Sequence, residues 1–187
     1  MRYALIADIH GNIEAFEAVL AHARASGAER ILLLGDMVGY GADPEAVLDR
    51  CIALLATGEA VAVLGNHDAV ACQRIPCPMN DEAQAAIEWT QARLKPRHVD
   101  FLRRLPLTYR EGPIFCVHAS AWLPEQWHYI VSGRDAAQSL DCAGDAGWVF
   151  CGHVHVPALY YTGRDGGMFA FRPADETPSW RGPSGAG

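Results

Sequence analysis

The first 70 residues set the frame that the rest of the chain must fit. Short apolar runs at Arg2–Ala7, Arg30–Leu34 and Val61–Leu64 alternate with two stretches that read as helices. Asn12–Ser26 places Ile13, Phe16, Val19, Leu20 and Ala23 close to the helical period, and Gly27 ends it. Pro44–Leu55 follows Asp43, a suitable N-cap, and has proline at its first position. Strands this short and apolar belong inside a protein, and the order strand–helix–strand–helix–strand predicts a parallel sheet packed by helices.

The pattern then changes. Residues 69–105 look helical, with interruptions at Pro76, Pro78 and Pro96, and Asn80 is placed to cap a helix from Asp81 to about Leu94. From Leu107 onward short strands dominate: Leu107–Arg110, Ile114–Val117, Trp148–Cys151, Ala158–Thr162 and Met168–Phe171. One helix near Arg134–Cys142 intervenes, and Gly163–Gly167 forms a hairpin-type turn. The expectation is a single α/β domain over residues 1–172, with two facing β-sheets flanked by helices. Residues 173–187, rich in Pro, Gly and Ser, are expected to fray.

Composition narrows the function classes. With 187 residues, half of them apolar, the chain can bury a real core, so disorder as the main state is excluded. Lys and Arg number 15 against 22 Asp and Glu, a net charge of −7, which disfavours long nucleic acid as a partner. No apolar run reaches the roughly 18–20 residues of a membrane span, and the N-terminus meets charge too soon for a signal peptide. The cysteines at 51, 72, 77, 116, 142 and 151 lack paired metal-knuckle spacing and read as reduced thiols in the cytoplasm.

Five short segments share one design: Asp8-Ile9-His10, Gly35-Asp36, Gly65-Asn66-His67-Asp68, Val117-His118 and Gly152-His153-Val154-His155. Each follows a predicted strand and carries metal-binding side chains in the loop beyond it. In open α/β sheets, ligands gather outside the carboxyl ends of the strands, so these segments converge on one site. Asp8 and His10 are two apart, as are His153 and His155, and in an extended segment each pair would point to one side. Two carboxylates, one amide oxygen and four imidazoles exceed the needs of one ion. They suit two divalent ions with one carboxylate between them.

This ordered set resembles the calcineurin-like metallophosphoesterases, whose pattern D-x-H, G-D, G-N-H-D, H, G-H-x-H is matched from Asp8 to His155. The resemblance runs from Arg2 to about Phe171 and implies the same sandwich of two sheets between helices. It also implies one divalent ion held by Asp8, His10, Asp36 and His155, and a second held by Asp36, Asn66, His118 and His153. Mixed nitrogen and oxygen donors admit Mn, Fe, Zn, Co or Ni. The implied reaction is hydrolysis of a phosphodiester, polyphosphate or phosphomonoester bond of a small phosphorylated or nucleotide substrate. A hydroxide bridging the two ions would attack, and His67 would act as general acid or charge stabiliser. The locally positive centre would attract phosphate although the whole chain is acidic.

The protein-phosphatase branch reads G-D-x-V-D-R-G after the second strand, whereas this chain has Gly35-Asp36-Met37-Val38-Gly39-Tyr40-Gly41. Gly39 stands where an Asp would orient the catalytic histidine, and Tyr40 where an Arg would bind phosphate. The segment is instead similar to small bacterial phosphodiesterases and diadenosine-tetraphosphatase-like members, leaving His67 to find another orienting group. Asn66, His67 and Tyr40 are the substrate-binding candidates. A protein phosphatase and a catalytically silent interaction module with the same fold are the alternatives; the filled ligand positions disfavour the second.

Other residues invite competing readings. Trp122, Trp127 and Tyr129 could stack a nucleobase or simply pack their loop. Cys72 and Cys77 could form a further metal or redox site, but read better as separate thiols. Arg74, Arg97, Arg103, Arg104 and Arg134 could each supply an outer phosphate contact, while His22 and His98 read as helix-surface residues.

Overall fold

The computed structural model describes residues 1–173, so the expected fraying of 173–187 falls almost wholly outside the described residues. Strands β1 (Tyr3–Ile6), β2 (Arg30–Leu33) and β3 (Ala60–Ala62) form a parallel sheet in that order. Their crossovers are helices α1 (Ile13–Ala25) and α2 (Pro44–Ala56). The strand period of two decides which side each residue serves. Ile31, Leu33, Ala60, Ala62 and Leu64 face one way, into a core shared with Phe16 and Leu20 of α1 and Val47, Leu48, Cys51 and Leu54 of α2. Leu32, Leu34, Val61 and Val63 face the other way and meet Cys116, Ile114, Tyr109 and Phe150 of the second sheet. Facing sheets are therefore present, with the first one covered on both sides.

The second sheet holds β4 (Thr108–Glu111), β5 (Ile114–Val117) and β6 (Trp148–Phe150); β4 runs antiparallel and β6 parallel to β5. The remaining strands, β7 (Leu159–Thr162) and β8 (Met168–Phe171), do not join it. They form a separate antiparallel hairpin across the predicted Gly163–Gly167 turn, beside helix α6 (Gly133–Cys142). The described residues thus hold three sheets rather than two, because the period-two pattern marks a strand without naming its neighbour.

Between the halves lie α3 (Asn66–Ala71), α4 (Asp81–Gln91) and α5 (Pro96–Arg104). Asn80 caps α4, accepting the Ala83 N–H at 2.8 Å, as Asn12 does for α1 from Ala15 at 2.9 Å. Asp43 occupies the N-cap position of α2 but its side chain makes no capping bond; Pro44 alone sets that start. α4 ends at Gln91, short of the expected Leu94, since Pro96 requires an extended residue before it and Lys95 is extended. His98 corrects a second expectation. It is fully buried, with Nε2 2.9 Å from Asp49 Oδ1 of α2, and it fastens α5 to α2. His22 is exposed as expected. Among the described residues no helix is long and apolar enough to cross a membrane.

Candidate metal centre

All five donor segments emerge at one end of the two sheets. Asp8 and His10 follow β1, Asp36 follows β2, Asn66 lies just past β3, His118 follows β5 directly, and His153 and His155 follow β6. The parallel pairing continues past the strands: Asp8 N–H donates to Gly35 O at 3.1 Å, and His10 N–H to Asp36 O at 2.9 Å. The chain does not stay extended there, however. Asp8, His10, Asp36, His153 and His155 have φ of +55°, +48°, +52°, +70° and +58°. The two-apart pairs therefore reach one side by left-handed turns and not by strand alternation. Such backbone costs of order 1–3 kcal/mol per residue and persists where its surroundings over-determine it, which is common at functional sites. Close approach adds a further demand: a Cβ on Gly65 would lie 2.1 Å from Asp36 Oδ1.

The side chains form three overlapping groups, in each of which one donor atom per residue lies within 4.8 Å of the others: Asp8, His10 and His155; Asp36, His118 and His153; and His10, Asp36 and His67. Asp36 is common to two, with Oδ2 3.3 Å from His118 Nε2 and 3.9 Å from His10 Nε2. Asp8 Oδ1 is 3.4 Å from His155 Nε2, and Asn66 Oδ1 is 3.0 Å from His118 Nε2. Three rings are braced from behind by backbone carbonyls: His10 Nδ1 by Val38 at 3.1 Å, His118 Nδ1 by Leu34 at 2.8 Å, and His153 Nε2 by Trp127 at 3.0 Å. A ring nitrogen that donates to a carbonyl leaves the other as a lone pair facing the cluster, the arrangement in which imidazoles ligate metals. Two imidazole nitrogens only 3.2 Å apart, at His10 and His155, also ask for a cation or a proton between them. This donor set fits divalent ions.

The electrostatics agree. Burial pushes His10, His67 and His153 below the ordinary imidazole value, His153 to about 4, so these rings are neutral near pH 7. Burial also works against charge on His118, but the Asp36 carboxylate beside it prevails and raises it to about 9. Burial would raise Asp36; His118, His67 and His10 outweigh it and hold the carboxyl well below its usual range.

Two neighbours of the centre acquire a structural role that the sequence pattern did not assign them. Asp68 is fully buried. It accepts N–H bonds from Met37 at 2.9 Å, Val38 at 3.1 Å and Gly65 at 3.1 Å, tying the Asp36 turn to the Asn66 turn. Asp68→Asn turns one carboxylate oxygen into an NH₂ that faces an N–H. We expect a loss of about 2–3 kcal/mol, measurable by urea unfolding. Gly39, at φ +93°, lies beneath His67, where a Cβ would stand 2.4 Å from Nδ1. That Nδ1 is buried and unpartnered, so packing holds the ring: the ring centroids of Tyr40 and His10 lie 4.8 and 4.9 Å from it. Asp68, its chain neighbour, does not orient it.

The other candidates separate. Trp127 is buried against His118 and braces His153, Trp122 stacks on His128, and only Tyr129 is exposed at the centre, stacked on His153 at 4.1 Å. Arg74, Arg97 and Arg103 serve the fold, bonding to Leu105 O, Asp49 and Cys72 O. All six cysteines are free, and among the described residues no candidate metal group contains one. Tyr40 is exposed, its phenol raised by burial and then by Glu82 and Asp36.

The calcineurin-like phosphoesterase model matches residues 1–157. The chain is 35% identical over 159 residues to the uncharacterized protein MJ0912 of Methanocaldococcus jannaschii, covering 82% of this chain and 62% of that one. It is 33% identical over 138 residues to a symmetrical bis(5'-nucleosyl)-tetraphosphatase of Chromohalobacter salexigens, covering 71% and 49%. The chain thus spans less than two thirds of these relatives. Among solved structures, a metallophosphoesterase from Sphaerobacter thermophilus superposes with a TM-score of 0.70 at 35% identity, over 86% of this chain and 63% of that one. By motif, fold and kinship, the chain belongs to the calcineurin-like phosphoesterase family.

Proposed function

We propose that the protein hydrolyses phosphate esters of small, nucleotide-type substrates with the help of two divalent ions. The observation that carries this reading is the position of Asp36 between the proposed ion sites, with Oδ2 3.3 Å from His118 Nε2 and 3.9 Å from His10 Nε2, among three imidazoles braced by carbonyls. Asp8, His10, Asp36 and His155 would hold one ion, and Asp36, Asn66, His118 and His153 the other. Ions held there supply Lewis-acid stabilisation of the phosphoryl oxygens and a water acidified to near neutrality. The kinship with a symmetrical tetraphosphatase supports a nucleotide-type substrate. A cytoplasmic setting, drawn from cysteine usage, belongs to the same reading.

The chain's own contribution centres on His67. Gly39, Tyr40 and His10 pack the ring in place and its Nδ1 is buried, so Nε2 is the nitrogen left for substrate. Held neutral by burial, the ring keeps its proton on Nε2 and donates it toward a phosphoryl or leaving oxygen. His67→Gln is expected to lower kcat roughly 10²-fold with unchanged metal content. The test of the whole reading is turnover of p-nitrophenyl phosphate and its bis ester by Mn-supplemented protein, with elemental analysis. We expect two ions per chain and loss of activity on chelation. Turnover indifferent to chelation, or a single bound ion, overturns it.

A further inference from the structure

An open groove of about 330 Å³ starts beside the metal centre, lined by Tyr40, Gly41, Ala42, Ala85, Ala86 and Trp89. Its volume falls at the lower end of the roughly 300–1,000 Å³ typical of small-molecule sites. Tyr40 joins it to the centre: its ring centroid lies 4.9 Å from that of His10 and 4.8 Å from that of His67. The tyrosine is held at φ +61° between two glycines yet is 48% exposed, so strained backbone presents an aromatic ring that no core requires. Trp89 lines the same groove and is 39% exposed. Arg93 lies 3.4 Å over one face of the indole and holds it in place. Ala85 and Ala86 also line it, and their small side chains leave room that larger ones would take.

The charge pattern selects the occupant. None of the six lining residues is charged. Glu82 lies on the same face of α4 as Ala85, Ala86 and Trp89, at helical spacings of three, four and seven. A second phosphate would meet repulsion here. A flat, neutral ring system bearing amino groups would find aromatic walls and an acceptor at one end.

We propose that this groove is the nucleobase subsite: it takes the base of a nucleotide-type ester whose phosphate lies at the metal centre, with Tyr40 and Trp89 as the aromatic walls. The proposal rests on the phosphoesterase reading for the position of the phosphate. Base–aromatic stacking makes this worth roughly tenfold in affinity or more.

Calorimetric titration of the Mn-loaded protein with AMP and with ribose 5-phosphate tests it, since the two differ only by the base. The wild type is expected to prefer AMP roughly tenfold or more. Trp89→Ala, which removes a wall, and Ala85→Leu, which fills the groove from an exposed position, are each expected to bring the preference within about twofold. Equal affinities in the wild type, or a preference that both variants retain, overturn the subsite. The two readings fail separately: ester hydrolysis without AMP preference overturns the subsite alone, whereas AMP preference without hydrolysis of any ester supports the subsite and overturns the activity.

Discussion

Asp36→Asn is expected to reduce hydrolysis of bis(p-nitrophenyl) phosphate by about 10³-fold or more, more than any other single change at the centre. Three facts combine at this one carboxylate. It belongs to two of the three donor groups, it is 1% exposed, and it stands 3.3 Å from His118 Nε2. An asparagine can keep the bond that Asp36 Oδ1 accepts from the His67 N–H at 2.9 Å, so the turn retains its shape. What is lost is the charge. Elemental analysis should then find fewer than two ions per chain. The fold should suffer less than the activity. His118 can release its proton once its partner is neutral, so the loss in stability stays below the about 3–5 kcal/mol of a stranded buried charge. A variant with normal metal content and more than a tenth of wild-type turnover would remove Asp36 from the shared position.

The same residues show how far the sequence could be read. The strand ends carrying Asp8, Asp36, Asn66, His118 and His153 were legible because apolar runs and the donors behind them are both local signals. Their convergence followed from parallel topology, which puts the strand ends together at one edge. The route was misread: Asp8 and His10 share a side through positive φ, and no composition rule announces a left-handed aspartate or histidine. Asp68 was unreadable for a different reason. Its partners, Met37 and Val38, are about thirty residues away, and a buried carboxylate bonded to backbone N–H groups leaves no trace in its neighbours' side chains. Polarity predicts exposure for His98, and its burial depends on Asp49, far off in sequence and half-exposed, which the sequence does not mark as its partner. Trp89 carries no signal of its own, because a single aromatic on a helix gains meaning only once Tyr40, far off in sequence, lines the same groove.

Proton and ion should compete for His118, and the competition gives metal-free and metal-loaded protein opposite pH dependences. His10 and His153 are already neutral near pH 7, so an ion held there would displace no proton from them. His118 is raised from 6.5 to about 9 by Asp36 against the opposing effect of burial. A raised folded-state value means that protonated His118 stabilises the metal-free fold fully below pH ~6.5, and that this stabilisation drains away as pH climbs through about 9. The shift corresponds to about 3 kcal/mol, so the urea midpoint of chelator-treated protein should fall across that window, and fall less in His118→Gln. An ion at His118 must displace the same proton. Affinity should therefore drop about tenfold per pH unit on going down from 9, roughly 300-fold by pH 6.5. Calorimetry of Mn binding in two buffers of different ionisation enthalpy counts the protons released, and comparison with His118→Gln isolates the imidazole's share from that of an acidified water. At pH 7.5 the wild type is expected to release about one proton more per chain than the variant, and equal release from both would mean that His118 does not meet the ion.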